Sequence, residues 1–211
     1  YGVILVDIGA GNTKVAYFKN NNFLGTSIVD VGGNQITNDL AVGLRIPVVE
    51  AERLKKAYGM RTLTDGNDDE EIELIGTNRV EKTVSRSLIT DIAKPRCEEI
   101  IGLIKAEIQK LTATVAVPCG IVLTGGISLL LGLDSMVEEL LNVPVRCGGP
   151  DRLEITDRMK NPSYATVVGL LYYARRELEQ SGSLESLPGS FFAIKRWFYG
   201  IFGVFFKTKT R

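Results

Sequence analysis

Apolar and polar positions along the first thirty residues follow a pattern that predicts strands. Residues 2–8 (GVILVDI) and 14–18 (KVAYF) flank a glycine turn, and 23–31 (FLGTSIVDV) follow an asparagine-rich turn, "KNNNF". The period then changes. Residues 34–45 and, more regularly, 49–58 (VEAERLKKAY) predict helices, the second closed by Gly59. Residues 61–91 are strand-like and acidic in the middle (DGNDDEEIELIG), with "DGN" and "TNR" as turn signals. Ile100, Ile101, Ile104, Ile108 and Leu111 recur at helical spacing, so 94–111 predicts the strongest helix. After Pro118, "GIVLTGGISLLLG" reads as a buried strand, a double-glycine turn and a helix start. Residues 134–141 predict a short helix, "VPVRCGGP" an edge strand and loop, and 164–180 a last helix. Hairpin strands followed by strands alternating with helices place the chain in the α/β class. The expected fold is a mixed sheet flanked by helices and carrying a small inserted α+β subdomain.

Composition narrows this picture. The 211 residues are 45% hydrophobic, enough for one good core or two small ones. The net charge is zero but unevenly spread: Lys195, Arg196, Lys207, Lys209 and Arg211 all follow the last acid, Glu185, so the body carries −5 and the tail +5. That asymmetry points the tail at an anionic surface, while the absence of a basic stripe in the body excludes nucleic acid as the expected partner. Cys97, Cys119 and Cys147 are an odd set without C-x-x-C spacing, in a chain without histidine. They predict buried structural thiols in a reducing cytoplasm, not a zinc site. No signal peptide precedes the first strand, and the chain opens on Tyr1 within strand-like sequence, as a piece of a longer protein would.

Three short motifs carry chemistry. In "DIGAGNT", Gly9 and Gly11 leave the backbone bare, so amides can approach phosphate oxygens, with Asn12 in the same turn and Thr13 as a hydroxyl donor. Asp7, at the strand end, is placed to hold a magnesium ion through its waters. The same pattern also suits an ordinary glycine-rich hairpin. In "VLTGGIS", Gly125 and Gly126 again lie between a strand and a helix, where a tight turn alone would explain them. Glu52, Lys55 and Lys56 stand at i, i+3 and i+4 on one helix face. A carboxylate there can accept from two ribose hydroxyls while a lysine stem covers a purine ring. A solvated charged face is the plainer reading, and it is the fixed order of the three motifs that favours a site.

Residues 181–189 (SGSLESLPG) form a short linker, and 190–211 hold "FFAIKRWFYGIFGVFF" followed by "KTKTR". This stretch is too short and too charged to span a bilayer comfortably, but it suits a helix lying in the interface. Phe191, Ile194, Trp197, Phe198, Ile201, Phe202 and Phe205 would supply the apolar contact. Lys195, Arg196 and Lys207 would reach the headgroups.

Taken in order, "DIGAGNTK" resembles the phosphate-2 loop and "VLTGGIS" the adenosine loop of the actin-like ATPases, the superfamily of actin, MreB filaments and the large heat-shock chaperones. More closely, "VGGNQITNDLAVGLRIP…AERLKKAYG", "KPRCEEI" and "PSYATVVGLLYYA" are similar to the FtsA family of bacterial division proteins, over roughly residues 2 to 175. That resemblance implies subdomain 2A at 1–33 and 92–180, subdomain 2B at 34–91 and a membrane-targeting helix at the end. It implies ATP and Mg2+ as cofactors: Asp7, Gly9, Gly11, Asn12 and Thr13 at magnesium and phosphates, Glu52, Lys55 and Lys56 at ribose and adenine, Gly125 and Gly126 beside the adenosine and α-phosphate. It further implies a peripheral place on the cytoplasmic face of the membrane at the division site, the C-terminal peptide of FtsZ as a partner of 2B, and self-association into filaments. Asn12 stands where many members have threonine and Lys14 where the chaperones have a second aspartate, so vigorous hydrolysis is not implied. No second D-x-G-x-x-[ST] unit occurs, so the chain by itself offers one wall of the cleft and is expected to be inactive as an ATPase. The alternatives are a pilus-assembly adaptor resembling PilM and half of a small-molecule kinase of the same superfamily.

Overall fold

The computed structural model describes residues 2–59, 70–76, 81–112, 119–151, 153 and 155–180. Its strands are β1 (Gly2–Ile8), β2 (Thr13–Lys19), β3 (Asn22–Val29), β4 (Glu71–Ile75), β5 (Glu81–Ser85), β6 (Ile121–Thr124) and β7 (Val145–Cys147). Five of them make one mixed sheet in the order β3-β2-β1-β6-β7. β1, β2 and β3 pair antiparallel as hairpins, whereas β6 joins β1 and β7 joins β6 in parallel. The alternation in the sequence explains the hairpins: Ile4, Val6 and Ile8 of β1 and Thr13, Val15 and Tyr17 of β2 all point into the core. The β2–β3 turn consists of Asn20 and Asn21, with φ of 52° and 63°, between the paired residues Lys19 and Asn22. Two consecutive positive φ values make the type I′ geometry that matches strand twist, and asparagine tolerates it.

The helices are α1 (Gly33–Leu44), α2 (Val48–Tyr58), α3 (Arg86–Thr112), α4 (Leu133–Leu141) and α5 (Ala165–Gln180). One expectation needs correcting. Residues 86–91 read as strand and the helix was expected to start at 94, yet α3 begins at Arg86 and carries Pro95 inside it. Ser85 Oγ accepts from the Leu88 N–H at 3.3 Å, an N-cap that starts the helix eight residues early. Pro95 removes one helical hydrogen bond. The helix continues because Ile89, Ala93, Cys97, Ile100, Ile101 and Ile104 form one buried stripe. Arg96 then binds both carboxylate oxygens of Asp39 on α1, at 2.6 and 3.2 Å, fixing the two helices in register. Ahead of α3, the described residues of 61–85 contribute one short antiparallel pair, β4 with β5, whose Ile72 and Leu74 face inward.

The chain divides into two compact units, 1–147 and 148 onward. The sheet, α1 to α4 and the β4–β5 pair belong to the first, and α5 to the second. The apolar tail expected to meet membranes, 190–211, lies outside the described residues. Among the described residues no helix is long and apolar enough to cross a membrane.

The core contains one polar atom without a partner among the described residues, the Tyr17 hydroxyl, on a side chain only 2% exposed. Tyr17→Phe is expected to leave the chain at least as stable, because burying an unpaired hydroxyl costs about 1–3 kcal/mol. Ile104→Ala, cutting a fully buried side chain on α3, should cost about 2–5 kcal/mol. Urea denaturation of the two variants checks both, and a Tyr17→Phe midpoint well below that of the unmodified chain would mean the hydroxyl has a partner after all.

Candidate functional site

The site is assembled at the carboxyl ends of the adjacent parallel strands β1 and β6. Asp7 is next to last in β1 and is in register with Lys14 across the hairpin, with Nζ 3.6 Å from Oδ2. On its other side it is in register with Thr124 of β6. The chain after Thr124 therefore runs past the Asp7 carboxylate. At Gly125, φ is +85°, and a Cβ would lie 2.4 Å from Asp7 Oδ1 and 2.5 Å from the Ile8 carbonyl oxygen. Only glycine satisfies both the backbone angle and the contact. Gly126 opens a 3-10 turn, held where Ser128 Oγ donates to the Gly125 carbonyl at 2.8 Å. The two glycine motifs of the sequence are thus fitted into each other through Asp7.

The β1–β2 turn is closed by the Gly9 N–H donating to the Asn12 carbonyl at 3.0 Å. Its outward carbonyls are taken by the start of α1: Gly33 N–H donates to Gly9 O at 3.0 Å and Asn34 N–H to Ala10 O at 2.8 Å. Sequence reasoning assigned no role to Gly32 and Gly33, although "VGGNQ" contains them. A Cβ at Gly32 would come 2.6 Å from Gly9 O, and one at Gly33 would come 2.2 Å from Ile127 Cδ1. A double glycine just before a helix was the signal that a second backbone packs there. Thr13 is fully buried, and its hydroxyl donates to Val31 O at 2.8 Å. It braces the segment leading into α1 and does not point outward as a phosphate donor.

Glu52, Lys55 and Lys56 do come together, but in an order that the helical spacing alone did not show. Lys55 turns inward, with a side chain only 4% exposed. Its ammonium donates to Glu52 Oε2 at 2.6 Å, to Thr37 Oγ1 at 2.8 Å and to Gly33 O at 3.1 Å. Lys56 stays at the surface and reaches Glu52 Oε1 at 3.1 Å. Thr37, unnoticed in the sequence, is buried at the centre of the cluster, 2.6 Å from Glu52 Oε2. Burial acts to raise the Glu52 pKa, but hydrogen bonds from Lys55, Thr37 and Lys56 outweigh it and hold the carboxyl at about 2. A concavity of about 480 Å³ opens beside Glu52, lined by Asn34, Thr37, Asn38, Val48, Val49 and Glu52.

The cysteine expectation holds only for Cys97, which is buried on α3 and whose thiol is pushed up to about 12 by burial and the neighbouring Glu98. Cys119 and Cys147 are exposed, because one precedes β6 in a turn and the other ends the edge strand β7. Among the described residues no three potential metal ligands cluster. Asp7 offers one carboxylate at the strand end, which suits an ion held mainly by water and phosphate oxygens.

The Glu52 cluster predicts a pH signature. Its folded pKa, about 2, lies below the ordinary 4.5, so its stabilisation is complete above pH 4.5 and is lost as pH falls toward 2. The difference in urea midpoint between the unmodified chain and Glu52→Gln should shrink across that window. A difference independent of pH would remove the ion pair from the account.

Comparison with known proteins bears on this geometry. A family model described as cell division protein FtsA matches residues 4–169. The chain is 34% identical to the cell division protein FtsA of Pseudomonas aeruginosa over 215 aligned positions, covering 95% of this chain and 51% of that protein. Against the FtsA of Bacillus subtilis it is 36% identical, covering 86% of this chain and 40% of the relative. It is 30% identical to the FtsA of Escherichia coli K12, with 82% and 44% covered. The chain thus spans about half the length, or less, of these curated relatives. Among solved structures, MreB5 of Spiroplasma citri bound to ADP superposes with a TM-score of 0.64 at 18% identity, covering 84% of this chain and 55% of that one. The PilM-PilN type IV pilus biogenesis complex gives a TM-score of 0.59 at 20% identity, covering 80% and 44%. At those identities the structures establish the actin-like fold alone, whereas the family model and the relatives at 30% and above establish more: the chain belongs to the FtsA family of cell-division proteins.

Proposed function

We propose that this chain is the adenine-nucleotide-binding second half of an FtsA protein that tethers the FtsZ ring to the cytoplasmic face of the membrane. The observation that carries this reading is the convergence of Asp7, Gly125 and the start of α1 at the ends of β1 and β6, with the Glu52–Lys55 cluster directly behind them. In this reading the backbone of Gly9, Gly11 and Asn12 meets the phosphates, and Asp7 holds Mg2+ through water. Gly125 and Gly126 lie against the adenosine. Glu52 accepts from the ribose, and Lys56, 72% exposed, is the lysine able to reach the base. Lys55 and Thr13 act through the backbone they brace. Bound Mg2+ would neutralise phosphate charge, and this half of the cleft supplies positioning. Residues 34–91 serve as subdomain 2B, which takes the FtsZ C-terminal peptide. Residues 1–33 and 92–180 serve as 2A, and the parent self-associates into filaments.

The tail is assigned to anionic membrane by its composition. Burying each large apolar side chain contributes roughly 1.5–3 kcal/mol. Ordering a helix with two glycines, each costing about 1 kcal/mol, offsets part of that, so binding is reversible.

Calorimetry of the chain with Mg-ATP should show binding that Gly126→Asp abolishes, because a carboxylate would face the phosphates. Unchanged affinity in that variant removes the site assignment. A phosphate-release assay on the chain alone should stay at background, and turnover lost in Asp7→Ala would instead reveal a completed site. Trp197, the one tryptophan, should shift to the blue with anionic liposomes, and the chain should co-sediment with them. Phe202→Asp should abolish both effects and high salt should weaken them only partly. An unresponsive Trp197 would remove the membrane reading.

A further inference from the structure

We propose that Thr37 is a positioning residue that aims the Glu52 carboxylate at the sugar of the bound nucleotide, and so sets a preference for ribose over 2′-deoxyribose. The inference rests on the adenine-nucleotide reading given above and extends it to a residue that contacts Glu52 rather than the ligand. Counting protons fixes the arrangement. Lys55 has three N–H groups and three acceptors, at Gly33 O, Thr37 Oγ1 and Glu52 Oε2. Thr37 has one proton and two acceptors within reach, Gly33 O at 3.0 Å and Glu52 Oε2 at 2.6 Å. The charged acceptor at the shorter distance takes it. Oε2 therefore receives two bonds from buried donors, and the carboxylate plane is held.

Oε1 is left on the other side. Its partner is Lys56 Nζ at 3.1 Å, on a side chain 72% exposed. The carboxylate is also kept ionised, since the same bonds hold its pKa at about 2. Such a group is acceptor-only, and Glu52 borders the concavity lined also by Asn34, Thr37, Asn38, Val48 and Val49. The ligand feature it matches is a vicinal diol, both of whose hydroxyls can donate. A 2′-deoxy sugar leaves one of those bonds unmade, and a site built around a hydroxyl discriminates strongly against the analogue that lacks it. Without the Thr37 hydroxyl, Oε2 keeps only Lys55, the carboxylate rotates between Lys55 and Lys56, and the discrimination is lost while the phosphate contacts remain.

The test is the ratio of ATP to dATP affinity, measured by calorimetry with Mg2+ on the complete chain. The unmodified chain should favour ATP by about tenfold or more, the worth of one hydrogen bond to a charged group. In Thr37→Val, of nearly equal volume, the ratio should fall close to one while dATP affinity stays within about twofold. Thr37→Ser, which restores the hydroxyl, should restore the ratio. Thr37→Ala gives the same readout should the valine variant not fold, with far-UV circular dichroism as the check. Equal losses for ATP and dATP in Thr37→Val would mark Thr37 as merely structural and overturn the proposal. Equal affinity for both nucleotides in the unmodified chain would also overturn it while leaving the nucleotide site standing. Binding of neither would take down the nucleotide reading and this inference together.

Discussion

A buried ammonium must be fully paired, and at Lys55 that requirement organises the surrounding structure. An ammonium at 4% exposure left without its partner carboxylate would cost about 3–5 kcal/mol, and here three acceptors meet it. They come from three places: the first turn of α1 (Gly33 O), its second turn (Thr37) and the preceding turn of α2 (Glu52). Gly33 in turn donates to Gly9 O and lies against Ile127, so the same cluster ties α2 to both glycine loops. Moving α1 against α2 would strand a charge, and moving either loop would break the first turn of α1.

The parallel pairing of β1 with β6 supplies a second constraint. In open α/β sheets, ligands bind in the crevice beyond the carboxyl ends of the strands, because there the chains diverge and leave backbone amides exposed. Asp7 and Thr124 are partners at those ends, so the turn after β6 necessarily crosses the Asp7 carboxylate. Glycine at 125 makes the crossing possible without displacing the carboxylate. Long α3 packs its buried stripe toward the core and holds α1 through Arg96 and Asp39. The site thus stands on paired strands, a helix start and turns pinned by hydrogen bonds.

The glycine loops and the Glu52 helix come from separate parts of the chain, yet the fold brings them within contact of one another. The likeness to MreB5 and to PilM is one of backbone only, and a shared backbone leaves function to the side chains of the site. Here those side chains differ in use from what their positions in the sequence imply. Thr13 holds Val31, and Lys55 holds Gly33.

Much of this was legible in the residue pattern. Alternation marked β1 and β2, the asparagine pair marked their neighbour's turn, and the isoleucine spacing marked the second half of α3, because each is a local preference with its own period. Asp7 and the glycines stood out because charge at a strand end and bare backbone beside it are poor ways to fill a core, and Glu52 stood out by its helical spacing to Lys55 and Lys56. Other features required the tertiary structure. The Ser85 cap and the buried stripe carry α3 through Pro95, against local propensity. Cys119 and Cys147 were expected inside and are exposed, the first in the turn before β6 and the second on the edge strand β7. Thr37 carries no distinctive local signal, and the roles of Thr37, Gly32 and Gly33 arise from partners remote in the chain. Local chemistry sets what a residue is able to do, while packing decides which neighbours claim its protons, and so the direction in which Lys55, Thr37 and Glu52 point was settled only by the fold.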